Sequence, residues 1–395
     1  FARAVMGLGA ALVMPATLSV VVVVFPVEER GKAVGIWAAM GGAGAPIGLF
    51  VGGWAVENHG WEMVFWINVP VILLALILGL FLVPNSRDKQ QRPLDAIGSL
   101  LSIGALVCIL YAIIEAPNAG WTSPETLGVV ALGIVLALAF IRWERSTEYP
   151  MLPIDLFSKM GFTMGLLAIS LAFFVMFSFM FTQMLHFQLV RGHTALEAAI
   201  RFLPLPLGLM PAAANSDKFV AKFGSNNVVA TGLTLITAGM LLFTTVEIDT
   251  DYVRIALTFF LLGLGMGLTM APSTTLVMES IPEDKAGVGS ATNDASREIG
   301  GALGIAIGGS VLNEYYQRNL VVPEGLDSSG LTESFPTAMR IGLELMADGN
   351  MLGAELIANA RLAFMDGMVA SAMVSAGIAL MTAILVKLYM PGKTE

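Results

Sequence analysis

The chain has 395 residues, of which 56% are hydrophobic and only 13% charged, whereas soluble domains carry about 45–50% apolar and roughly 25% charged residues. That imbalance excludes an ordinary water-soluble enzyme, and the net charge of −9 argues against nucleic acid as a partner. One cysteine, Cys108, and three scattered histidines, His59, His186 and His193, form neither a disulfide framework nor a ligand cluster, so no metal and no cofactor are expected.

A helix crossing a hydrocarbon core about 30 Å thick needs about 20 mostly apolar residues. Eleven windows qualify: 1–25, 34–56, 64–83, 95–114, 126–142, 161–185, 199–215, 227–246, 252–279, 287–312 and 367–390. If the first runs inward, thirteen of the 21 Lys and Arg residues, among them Arg30, Arg87, Lys159, Lys222 and Lys387, lie on inner loops or the C-terminal tail. Six lie on the outer side. Basic side chains resist translocation, so this asymmetry predicts a multi-pass cell-membrane protein, all α, with a cytoplasmic C-terminus. Phe1-Ala2-Arg3 already falls inside an apolar helix, and an N-terminal truncation is expected.

Three blocks follow in chain order. Residues 1–83 give three spans with tight links; residues 84–160 give a charged linker, a helical pair turning at Pro117–Trp121, and a second charged linker; residues 161–395 give six more spans. The stretch 315–366 mixes apolar and charged residues at helical spacing, which predicts one or two short external helices acting as a lid or as a passive cap.

Within the second span Gly44, Gly48 and Gly52 recur every four residues, with Gly53 beside them. Such a stripe opens a groove through which a neighbouring helix can approach at backbone distance, and Pro46 predicts a bend. The tenth span carries charge into the bilayer. Arg297 lies 12 residues past Lys285, about 18 Å along the helix at 1.5 Å per residue. A charge at that depth costs about 2.5–3.5 kcal/mol and needs a partner or a watery cavity. Asp294 and Glu298 are close enough in sequence to serve. Either the pair neutralises itself and fixes helix rotation, or one of the two acids gains and loses a proton. The sixth span crowds aromatic and sulfur side chains, with Phe173, Phe177 and Met180 on one face and Gln183 nearby. That face suits an adaptable pocket for flat hydrophobic cations, and it equally suits contact with lipid.

The stretch Gly35–Trp54, followed by Trp61-Glu62-Met63-Val64-Phe65-Trp66, resembles the glycine-rich antiporter motif in the fifth helix of major facilitator superfamily drug exporters. Arg3–Ala11 resembles the fourth-helix motif of that group. Leu94–Gly98, the Gly120-Trp121 turn, Gly289–Asp294 and Arg297–Gly304 resemble the fourteen-span EmrB/QacA-type drug:proton antiporter branch. In two places the chain departs from the pattern: the family's Gly-Pro pair falls on Gly48-Leu49, and Met6 replaces the usual glutamine.

The resemblance implies a major facilitator fold in which residues 1–83 are family helices four to six, 95–142 an inserted pair, and 161–390 the second six-helix bundle, helices one to three being absent. It also implies export of a small hydrophobic or cationic substrate in exchange for protons, by rocking of two bundles about a midplane cavity. Arg3 would tune the acidity of a carboxylate, or else hydrogen-bond backbone carbonyls. A carrier for one polar metabolite is the alternative. A membrane-embedded enzyme or receptor ranks last, since no histidine, cysteine or serine cluster shows catalytic spacing and no sizeable soluble domain is present.

Overall fold

The computed structural model describes residues 2–82, 95–282, 286–326, 330–332 and 334–392. Within the first helices some side chains fall outside the described set, among them those of Arg3, Arg30, Lys32 and Pro46. Among the described residues there are fourteen α-helices and no strand. In chain order they are α1 (Ala2–Val24), α2 (Val27–His59), α3 (Met63–Trp66), α4 (Asn68–Leu82), α5 (Ala96–Ala119), α6 (Pro124–Ser146), α7 (Met160–Leu185), α8 (Ala195–Arg201), α9 (Pro204–Phe223), α10 (Ser225–Phe243), α11 (Tyr252–Glu279), α12 (Ala286–Asn319), α13 (Phe335–Ala347) and α14 (Leu352–Tyr389).

Local chemistry sets several of these boundaries. Asp95 caps α5 by accepting from the Gly98 N–H at 2.8 Å. The same carboxylate oxygen accepts from the Trp143 indole at 2.8 Å, which fastens the start of α5 to the end of α6. Ser123 caps α6 with Pro124 in its first turn, a position where the missing proline N–H costs nothing. Thr194 and Glu197 form a reciprocal capping box that starts α8. Between α9 and α10 the chain reverses through Gly224, whose φ of 82° lies in the left-handed region where glycine alone is unstrained.

Eight segments are long and apolar enough to cross a membrane: Met63–Phe81, Ala96–Ala119, Pro124–Ser146, Met160–Val190, Ala195–Phe223, Ser225–Phe243, Tyr252–Glu279 and Leu352–Tyr389. The other three expected spans coincide with α1, α2 and α12, helices of 23, 33 and 34 residues. In α12 the apolar run is broken by Asn293, Asp294, Arg297 and Glu298. The predicted external stretch 315–366 contracts at both ends. Its first residues belong to α12, and α14 starts at Leu352 rather than near 367. The cause is visible in the packing: Leu356, Ile357, Ala360, Ala363 and Phe364 continue the buried stripe of α14 through the charged residues that had set this segment apart from the last span. Phe335 of α13 stacks on Phe364 at 4.2 Å and meets Tyr316 of α12 edge-on at 5.9 Å, so α13 is a docked cap.

The six long helices α7, α9, α10, α11, α12 and α14 pack on one another around a single apolar core. Phe179, Phe243 and Phe259 meet at its centre, and Phe202 closes on Phe259 at 4.8 Å. With lipid as solvent there is no water-driven collapse between helices, so close backbone contact carries the assembly. Glycines permit it: a Cβ on Gly263 of α11 would sit 2.0 Å from the Leu205 carbonyl oxygen of α9. The α5–α6 hairpin leans on this bundle where Ser310 of α12 donates to the Ile113 carbonyl at 2.7 Å. From the other side α1 reaches α12, and α2 packs along α8 and α9.

Candidate functional site

The buried charge of α12 organises the site. Asp294 and Arg297 stand three residues apart, on one face of the helix, and are 7% and 9% exposed. Their closest approach, Nη1 to Oδ1, is 3.8 Å, an ion pair without a hydrogen bond. The other end of the guanidinium donates from Nη2 to Thr274 Oγ1 of α11 at 3.3 Å, and Thr274 donates to Asn293 Oδ1 at 3.3 Å. Above and beside the guanidinium lie two aromatic rings, Trp37 of α2 with its centroid at 5.2 Å and Phe173 of α7 at 5.6 Å. Both distances fall within cation–π range, where a desolvated contact is worth about 2 kcal/mol. Trp37 is held in turn by its indole N–H donating to Thr17 of α1 at 3.1 Å.

This cluster joins α1 and α2 to α7, α11 and α12 around one cation. It also contains spare polar capacity. Both oxygens of Asp294, Arg297 Nε, Asn293 Nδ2 and Ser273 Oγ are buried without a hydrogen-bond partner among the described residues. Glu298, one residue beyond Arg297, is exposed on a different face of the helix. Of the two acids weighed from sequence, only Asp294 shares the buried site with Arg297.

The aromatic face divides. Phe173 stacks on Phe177 at 6.0 Å with 25° between their planes, so Phe177 backs the ring that faces the cation. Phe177 is 36% exposed and lies against Gly301 of α12. Met180, half-buried, continues that face. Gln183 turns away: wholly buried, its Oε1 pairs with His186 Nδ1 at 2.9 Å, beside the π-helical turn His186–Val190.

The glycine stripe of α2 behaves differently from a seam. A Cβ on Gly44, Gly48 or Gly52 would meet nothing within 4 Å, whereas one on Gly53 would lie 3.0–3.2 Å from the backbone of α8 at Ala195 and Leu196. The tight seam lies in α12, where Gly300 and Gly304 abut the Ser170 and Phe174 carbonyls of α7 at 2.0 and 2.2 Å from where a Cβ would sit. Arg3 and Pro46 have side chains outside the described set. Sequence reasoning missed Trp37, Thr274 and Asn293: the first two reach Arg297 only through tertiary packing, and Asn293, one turn before Arg297 on α12, joins the cluster through Thr274. Among the described residues no three His, Cys, Asp or Glu side chains converge as a metal site.

A helical chain with repeated membrane-spanning segments and a buried, aromatic-flanked ion pair at the junction of its helix groups is a polytopic membrane protein of the carrier type. The chain belongs to the Major Facilitator Superfamily, whose model matches residues 1–305. It is 32% identical over 389 residues to the multidrug efflux pump LfrA of Mycolicibacterium smegmatis, covering 98% of this chain and 76% of that protein. It is 32% identical over 312 residues to the tetracenomycin C resistance and export protein of Streptomyces glaucescens, covering 78% of this chain and 58% of that protein. The chain thus spans less than two thirds of the second relative's length. A crystal structure of a bacterial homolog of the human lysosomal transporter Spinster, inward-facing and unoccupied, aligns with a TM-score of 0.49 at 16% identity, covering 96% of this chain and 76% of that one.

Proposed function

We propose that the chain acts in proton-coupled export of hydrophobic or cationic drugs across the cell membrane, as a member of the fourteen-span drug:proton antiporter branch. Residues 1–83 belong to the first bundle, 84–160 to the linker and inserted pair, and 161–395 to the second bundle, with the C-terminus in the cytoplasm. The observation that carries this reading is Arg297, held between Trp37 and Phe173 while the Asp294 oxygens beside it accept no hydrogen bond. Aromatic faces that hold a guanidinium have the chemistry to hold a flat organic cation. Protonating Asp294 removes the charge that attracts Arg297, and a bistable contact across α2, α7, α11 and α12 is then free to rearrange. The efflux relatives supply the substrate class.

Reconstituted vesicles carrying a planar cationic dye and an imposed pH gradient test the proposal. Dye is expected to move against its gradient while the pH difference lasts and to stop when a protonophore dissipates it; movement indifferent to the protonophore would overturn proton coupling. A narrower expectation concerns Phe177. Removing its ring in Phe177→Ala takes away the stacking partner of Phe173 and should reduce export of planar cations several-fold while sparing non-aromatic substrates, read as resistance profiles in cells. An unchanged profile would return this face to simple lipid contact.

A further inference from the structure

Two apolar grooves flank the first turns of α10. One, of about 500 Å³, lies between α10 and α14 and is walled by Leu235, Leu380, Ile384 and Leu388. The other, of about 320 Å³, lies between α9, α10 and α11 and is walled by Phe219, Phe223, Val228 and Leu268. Asn227 and Thr231 line both, so the two grooves meet there. The outer wall of the first is open to the surroundings of the bundle, with Ile384 53% and Leu388 68% exposed.

Two lysines border the grooves, Lys387 lining the first and Lys222 beside Phe223, which walls the second. Lys387 donates to the Asn227 side-chain oxygen, and Lys222 lies with its ammonium 5.1 Å from the Phe223 ring centroid. Among the described residues neither has a carboxylate within ion-pair distance. The Ser225 N–H donates to the Gly392 carbonyl at 2.7 Å, which ties the start of α10 to the residues just past α14. Cations without counter-ions at the end of a spanning helix, above paired apolar grooves, complement a phosphate that carries two hydrocarbon chains.

We propose that this junction binds an anionic diacyl phospholipid, its phosphate between Lys387 and Lys222 and one acyl chain in each groove. The inference does not depend on what the protein transports. Native mass spectrometry of the detergent-purified chain, titrated with phosphatidylglycerol and with phosphatidylcholine of identical chains, tests it. Phosphatidylglycerol is expected to bind several-fold more tightly. Lys387→Gln and Lys222→Gln should each weaken it about five-fold, and the double variant should bring it to the phosphatidylcholine level. Ile384→Trp, which fills one groove, should weaken both lipids. Unaltered melting temperatures show that the variants are folded. Equal affinity for the two lipids, indifference to both lysine changes, or full competition by glycerol 3-phosphate, which offers the phosphate without chains, would each overturn the proposal.

Discussion

Asp294→Asn is expected to abolish export driven by a pH gradient, a loss of at least ten-fold in initial dye efflux, while leaving the helical fold intact. Asparagine keeps the shape of the side chain and its place 3.8 Å from Arg297 but cannot exchange a proton at pH 7. Arg297 then loses its nearest counter-charge and keeps Thr274 and the two aromatic faces, which still offset part of the cost of a cation at that depth. The separating measurement is exchange of labelled for unlabelled dye with no pH gradient, which should persist because it needs no proton. Glu298→Gln is the control; Glu298 is exposed and outside the cluster, so coupling should survive. Retained proton coupling in Asp294→Asn would reduce the pair to a device that fixes helix rotation.

The sequence showed the charges of α12 and their depth, because an ionisable residue inside an apolar run is conspicuous in one dimension. It did not show which acid faces the cation. Asp294 at three residues and Glu298 at one are both near Arg297 along the chain, and only helix rotation against α7 and α11 buries the first and exposes the second. Span ends were misread for a related reason. Glu355, Arg361 and Asp366 suggested a short external helix separate from the last span, yet they belong to α14 itself, where Leu356, Ala360 and Phe364 pack inward and Asp366 accepts from Asn319 at 3.0 Å. Periodicity alone also could not rank the glycine stripes. Gly44, Gly48 and Gly52 have the same spacing as Gly300 and Gly304, but among the described residues only the second set has a helix against it.

That contrast gives the second large expectation. A Cβ on Gly304 would lie 2.2 Å from the Phe174 carbonyl oxygen and 2.9 Å from its Cα. Backbone atoms of a packed helix cannot swing aside as a side-chain tip can, so Gly304→Ala must push α7 and α12 apart. Overpacking of this kind costs about 1–3 kcal/mol, enough to lower the melting temperature in detergent by several degrees. Gly48→Ala, made in a helix with open space around the position, should be neutral or stabilising by about 0.5–1 kcal/mol, the helix preference of alanine over glycine. The seam also positions the site: Phe173 is the neighbour of Phe174, and Arg297 lies two turns before Gly304 on the helix that would move. Gly304→Ala is therefore expected to lower efflux as well as stability, and a second-site Phe173→Leu change, which removes the ring from the cation, should add little further loss of efflux once the seam is open. Full stability and full efflux in Gly304→Ala would mean that α7 and α12 do not meet at backbone distance along this seam.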